Sequence, residues 1–555
     1  MTRTRPARAA IAVLGLAALS ACARDAGCPD DWCGTAVVVS AADADVLMPP
    51  VTHTDVGTGV VDLVFAKLGD VGPGMGTVGD TGFVPVLARS WRRDDALTLS
   101  FSLRPDARWH DGANVTAEDV AFTFDVYRDT AVGSPAAPRL ARIASVTARD
   151  SLTVVFRFRD PYPEQLFDAV YHMRILPRHL LGAVPRGELA SHAFGRSPVG
   201  CGPFRFVRWR AGEAIELAAD SAFFLGRPGL RRVIWRITPD PAAAVSQLIA
   251  GEADVMGSVG GPDEVRRVQQ AAHLRAVPYP IAVYGFIGFN FADARGGAAP
   301  PHPLCADRAL RRALAMAVDR EAVVRAVLGQ YGEVPVGPLT RGLWIWSDSA
   351  GQLPFDSAAA RRSLAELGWR DSDRDGVLDR AGRKLAFTLL VPASSGLRRR
   401  AAVVVQAQLR RFGVDMKIGE LEFNIFMSRT GAHRFDAYFG AWAQDPSPAS
   451  IRDTWTSEGA ARFNLGRYAN PRVDSLVEQA LRAGDLAAAR DRWRAALAEI
   501  NADAPAIWLY APIAVAAVHR RFDNVALRTD QWAASLWTWR VRPRERIERD
   551  HLAAQ

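Results

Sequence analysis

Leu103-Arg104-Pro105-Asp106-Ala107-Arg108-Trp109-His110-Asp111-Gly112, followed by Val115-Thr116-Ala117-Glu118-Asp119-Val120 and Phe122-Thr123-Phe124, is the most clearly punctuated stretch of this chain. Leu97–Leu103 alternates as a strand does, and Arg104-Pro105-Asp106 turns the chain. His110-Asp111-Gly112 makes a second turn. Thr116 is placed to cap a helix, with Asp119 at the third helical position to answer it. Val120, Phe124 and Tyr127 then share one helical face. Strand, turn and capped amphipathic helix in immediate succession are the texture of an α/β protein.

The same texture extends both ways. Toward the N-terminus, Ala36–Ser40 reads as a strand, Asp62–Leu68 as a short helix, and Gly72–Gly82 as a loop. Toward the C-terminus, Ser151–Arg157 is a strand and Gly200-Cys201-Gly202-Pro203 is a backbone constraint. Phe204–Trp209, Ala214–Leu217 and Arg232–Ile237 are consecutive strands, and Ala242–Ile249 is a helix. Tyr284–Asn290 is a strand, and Ala306–Gly329 is helical with a break where Asp319 caps a second helix. Leu385–Val391 and Phe435–Trp442 are strands flanking the helix Ala402–Arg411. Asn470-Pro471 and Asp485 each start a helix, the second running Leu486–Ile500, and Ile507–Tyr510 is a strand. From Arg542 the chain is highly charged and is expected to fray. Helices and strands are interspersed throughout, so the fold class is α/β, and no solenoid repeat is present.

With 555 residues the chain exceeds one ordinary core, and two or three domains are expected. The formal charge is +8, with basic residues scattered rather than massed, which gives no support for nucleic-acid binding. Arg3, Arg5 and Arg8 precede the apolar run Ala9–Leu19, an export signal too short to span a bilayer. It ends in Leu19-Ser20-Ala21-Cys22, which resembles the lipobox of bacterial lipoproteins and implies lipidation of Cys22. Residues 1–21 are then signal peptide and 22–35 a lipidated tether. Cys28, Cys33, Cys201 and Cys305 remain, an even number for an oxidising compartment, and three pairings are possible. The expected pairs are Cys28–Cys33 and Cys201–Cys305, the second closing a loop of about 100 residues and adding roughly 2–4 kcal/mol. His302 precedes Cys305 by three residues, but no further ligand joins them at zinc spacing.

Catalytic signatures are missing: there is no Gly-x-Ser-x-Gly, His-Glu-x-x-His, Walker A or dinucleotide fingerprint. His110-Asp111 could suggest a base, though its place in a turn favours a structural role. Asp371, Asp373, Asp375 and Asp379 form a weak calcium-loop candidate. The twelfth position, which should be a bidentate Glu, is Gly382. No cofactor is expected.

Ordered blocks carry a family resemblance. They are Val84–Trp91, the opening run Leu103–Phe124, Pro198–Phe204, Gly251-Glu252-Ala253-Asp254-Val255 and Gly288-Phe289-Asn290. Further on come Asp307–Leu314 with Ala317–Arg320, and Arg467-Tyr468-Ala469-Asn470-Pro471 with Val473-Asp474. Together they resemble bacterial extracellular solute-binding proteins of the peptide/nickel-binding type, the oligopeptide- and dipeptide-binding lipoproteins of ABC importers. The resemblance implies a two-lobed periplasmic-binding-protein fold with a hinge, the first lobe split in two. The expected division is 36–74, 198–289 and 506–545 for the lobe 1 core, 75–197 for its second subdomain, 290–505 for lobe 2, and 546–555 for a flexible tail. It also implies an anchor for a peptide's α-ammonium in the block Gly440-Ala441-Trp442-Ala443-Gln444-Asp445-Pro446, with Asp445 as anchor and Trp442 and Gln444 beside it. The implied partners are a peptide or similar small organic solute, ABC permease subunits, and a bacterial membrane reached through the lipid. The protein is expected to be an extracytoplasmic monomer and no enzyme. A non-peptide solute (opine, sugar, antibiotic or metal chelate) and a secreted hydrolase are the alternatives.

Overall fold

A computed structural model describes residues 32–292, 300–348, 351–461 and 463–551. The signal segment, Cys22 and Cys28 lie outside the described residues. The architecture is mixed α/β, organised on a twelve-stranded sheet. Its main path runs 415–421, 386–392, 437–443, 283–289, 506–519, 255–256, 35–40, 232–237, 214–219 and 204–210.

The strand Ala506–His519 holds the two halves of this sheet together. Its first part pairs antiparallel with Val283–Phe289, from Gly288↔Ala506 to Gly285↔Tyr510. Its second part pairs antiparallel with Leu274–Pro280, from Pro280↔Ile513 to Leu274↔His519. Pro512 stands at the changeover and faces Gly332 of a two-residue strand. A proline has no N–H to give a ladder, so it marks a natural weak point in a long strand. The chain therefore passes between the halves at two adjacent places, Ile281-Ala282 and Ala511-Pro512. Val283–Phe289, expected with the first lobe, pairs along its whole length with Ala437–Ala443, expected with the second.

A separate four-stranded antiparallel sheet is built from Ala88–Asp95, Thr98–Leu103, Thr153–Phe158 and Ile143–Ala148. The helix Ala117–Arg128 packs on it, starting where Thr116 places it. The Asp119 carboxylate accepts from Thr116 N (2.8 Å) and from Thr116 Oγ1 (3.0 Å). Trp109, Phe101, Phe124 and Tyr127 are buried in its core. Gly200 and Gly202 seat this unit on the helix Asp55–Val64. A Cβ at Gly200 would lie 1.9 Å from Val64 O and one at Gly202 2.5 Å from Leu63 O, so no larger residue fits.

Three sequence expectations are corrected. Cys201 and Cys305 are free thiols, each buried in the apolar core of a different half of the molecule, so they cannot bridge. Cys33 is disulfide-bonded. The helix expected at Asp62–Leu68 is Asp55–Val64, begun by Thr54, whose Oγ1 accepts from Gly57 N at 3.1 Å. The C-terminal segment does not fray through Asp550. Arg521 and Asp550 are fully buried and paired at 2.6 Å, and Arg521 also pairs with the fully buried Asp254 at 2.8 Å. Asp550 further accepts from Thr35 N and Asp254 from Val37 N, which ties the first strand, the Gly-Glu-Ala-Asp block and the C-terminus together.

Candidate functional site

The strand Ala437–Ala443 ends in the block that sequence singles out. Trp442 lies opposite Tyr284 in the ladder, half-buried, with its ring edge-on to Phe463 at 5.7 Å. Its Nε1–H is buried and has no hydrogen-bond partner among the described residues. Such an orphan donor costs free energy unless something outside the chain accepts from it.

Gln444 is held by the chain itself. Its Oε1 accepts from Thr340 N (3.1 Å) and its Nε2 donates to Pro338 O (3.0 Å). Its backbone N–H donates to Ala282 O at 2.7 Å, at one of the two crossings. With both ends of its amide engaged, Gln444 shapes the wall and fixes the loop 338–340.

Asp445 faces the other half of the molecule and forms an ion pair there. Arg139, from the short 3-10 helix Ala137–Leu140, places Nη2 2.7 Å from Asp445 Oδ2. Two residues on, Ser447 Oγ donates to Glu164 Oε2 at 2.8 Å. The other oxygen of Glu164 accepts from Thr77 Oγ1, which in turn accepts from Trp344 Nε1 at 3.2 Å. Burial, with the Asp168 charge adding to it, pushes the Glu164 carboxyl up to about 7. The two faces are therefore joined by one ion pair and one buried carboxyl–hydroxyl cluster.

Beside this seam, at the crossings, lies a cavity of about 580 Å³. Its walls include Ser40, Tyr279 and Trp532 from one half and Ala443 and Gln444 from the other. This is within the size range of small-ligand sites. Asp530, also on its wall, is held by Arg528 (2.8 Å) and accepts from Tyr171 OH (2.9 Å). Burial alone would raise the Asp530 carboxyl; the Arg528 hydrogen bond and charge outweigh it and hold it below the usual range. Burial, with the Asp530 charge adding to it, pushes the Tyr171 hydroxyl well up. Tyr171 and Asp530 thus form a hydrogen-bonded pair at the cavity wall.

The remaining candidates fall away from this site. His110 Nε2 donates to Gly202 O (3.0 Å) and Nδ1 accepts from Gly200 N (3.3 Å), so the ring braces the glycine loop. Burial lowers its basicity, and Asp111 pairs with His179 Nε2 at 2.7 Å instead. Asp371, Asp373 and Asp375 do converge, with ligand oxygens within 4.8 Å, but all three are exposed. Lys384 Nζ already sits 2.6 Å from Asp373 and 3.0 Å from Asp375, while Asp379 accepts from Ser372 instead. An ammonium in the ring and an absent fourth carboxylate do not fit a calcium cage. Arg139, Glu164, Thr77 and Tyr171 are the site residues that sequence reasoning missed.

Residues 82–463 match the family model of bacterial extracellular solute-binding proteins, family 5. This chain belongs to that family. The oligopeptide-binding protein AppA of Bacillus subtilis is 30% identical over 424 residues, 76% of each chain. The solved structure of AppA from Bacillus subtilis in complex with a nonapeptide superposes with a TM-score of 0.73 at 26% identity, covering 92% of this chain and 99% of that one. NikZ from Campylobacter jejuni, solved with Ni(L-His), gives 0.73 at 23% identity, covering 92% and 100%. The fold of this family-5 protein is accordingly the two-lobed periplasmic-binding-protein fold. The relatives are binding proteins rather than enzymes. No helix among the described residues is long and apolar enough to cross a membrane.

Proposed function

We propose that this protein captures a peptide between its lobes and hands it, uncleaved, to an ABC-type permease. Asp445 receives the peptide's α-ammonium and Trp442 Nε1 donates to a peptide carbonyl. The reading rests on one observation above the rest: an Asp directly after Gln444 of the cavity wall, three residues after a tryptophan whose buried N–H has no acceptor among the described residues. A carboxylate in a cleft that excludes water pairs strongly with an amine. The names of the relatives, oligopeptide-binding among them, support the same class of ligand. The lobes divide, on this reading, at Ile281-Ala282 and Ala511-Pro512, where strand pairing changes hands. The lipid on Cys22 would hold the monomer at a bacterial membrane, outside the cytoplasm.

Asp445→Asn tests the reading directly. It should weaken a peptide with a free N-terminus by about 2–5 kcal/mol in calorimetry and leave the N-acetylated peptide nearly unchanged. Equal loss for both would remove Asp445 from the amine site. Native mass spectrometry of the purified protein should recover an intact peptide; a cleaved one would point to hydrolysis.

A further inference from the structure

We propose that Arg139 is a built-in competitor for the ligand's ammonium: its guanidinium occupies Asp445 in the ligand-free protein, holds the lobes together, and gives way when an amine enters. The proposal rests on Asp445 being the amine anchor, but its first consequence does not need a ligand. Arg139 and Asp445 belong to segments on opposite faces of the cleft and meet at 2.7 Å. No other hydrogen bond or ion pair holds either side chain among the described residues. The guanidinium therefore stands where a ligand cation would have to stand.

The pair is also built to part. Arg139 is 36% exposed and Asp445 32%, so water screens the attraction and replaces it when it breaks. Pairs this exposed are weak. The permanent ion pairs of this protein look different: Arg521 with Asp254 and Asp550 is sealed at 0% exposure. Leu140, beside Arg139, is fully buried and keeps the short helix in place while the arginine side chain swings. The guanidinium is not stranded on leaving, because the Glu164 carboxyl in the same seam already feels its charge. A neutral N-terminus offers nothing to displace it, so Arg139 turns the anchor into a filter for amines. It acts by competition: an amine must pair with Asp445 more tightly than Arg139 does.

Small-angle scattering of the ligand-free protein and calorimetry with peptide pools test this together. The pools are random tetrapeptides with free N-termini and the same pool N-acetylated. Arg139→Gln and Asp445→Asn should each enlarge the radius of gyration of the ligand-free protein. Arg139→Gln should bind the free-amine pool up to about fivefold more tightly, the most that an exposed pair is worth, with the acetylated pool unchanged. Arg139→Gln that stays compact with unaltered affinities overturns the proposal. So does loss of binding to both pools, which would make Arg139 a ligand contact instead. If Arg139→Gln opens the protein while Asp445→Asn keeps its preference for amines, the competitor role and the amine anchor both fail and only an interlobe tie remains.

Discussion

Glu164 brings a carboxyl group into the seam between lobes, where only hydroxyls meet it directly. Thr77 and Ser447 donate to it, Trp344 braces Thr77, Asp168 repels its charge and Arg139 attracts it. Asp168 is itself held by Tyr162 OH (2.7 Å) and lies 3.3 Å from His172 Nε2. The closed lobes hold Glu164 at about 7 against an ordinary 4.5, whereas opening exposes it to water. Between those values the closed state carries a proton that the open state lacks. Its advantage is thus complete at acid pH and lost as pH rises through 7. The closed-to-open ratio of the ligand-free protein, read by small-angle scattering from pH 5 to 8, should fall with rising pH, by at most about tenfold per unit for one proton. Glu164→Gln should flatten the profile; a profile unchanged by the substitution would discard the mechanism. A second residue-scale expectation concerns Asp550. Removing one partner from a sealed charge cluster strands the others, so Asp550→Ala should cost about 3–5 kcal/mol in denaturant unfolding. At this scale the sequence reveals what is local. Trp442 and Asp445 are visible through their spacing in one block. Glu164 is invisible because Ser447, the residue that gives it a role, is 283 positions away.

At the scale of elements, capping chemistry is the most legible signal. Asp319, Asn470 and Asp485 each accept from backbone N–H groups of the helix they precede, as the sequence indicates. Long strands with small residues are the least legible. Ala506–His519 reads as Ile507–Tyr510 because Pro512 and four alanines, Ala511, Ala514, Ala516 and Ala517, interrupt the usual strand signature. Its partners on both sides supply the burial that its own side chains do not advertise. The cysteine pairing fails for a related reason: parity of thiols says nothing about which core each one enters. Burial pushes the Cys201 thiol up to about 12 and raises Cys305 as well. Both thiols should therefore ignore a thiol-reactive dye in the native protein and react once it is unfolded. A disulfide-linked peptide joining them in a nonreducing digest would contradict the structure.

The whole molecule depends on how one lobe recognises that the other has arrived. The strands Gly69–Val71 and Phe83–Pro85 form a hairpin whose long tip reaches across the cleft. Thr77 at that tip accepts from Trp344, and Val78 is buried in the aromatic cluster of lobe 2 that includes Tyr284, Trp344 and Trp508. The glycines of Gly72–Gly82 identify a loop in the sequence, but its docking partner lies in a segment that only the folded chain brings near. Burying a valine side chain is worth roughly 1.5–3 kcal/mol, enough to shift an open–closed balance tenfold or more. Val78→Asp replaces that gain with the cost of a buried charge, while leaving the hairpin ladder and both lobe cores untouched. Amide exchange across 72–82 should accelerate in the ligand-free variant, and a bound peptide should leave faster. Exchange in the core strands Thr35–Ser40 and Ala386–Pro392 should stay slow. If the tip remains protected in Val78→Asp, the lobes are held by the polar contacts alone. Exchange that rises everywhere would instead mean that the hairpin supports folding rather than closure.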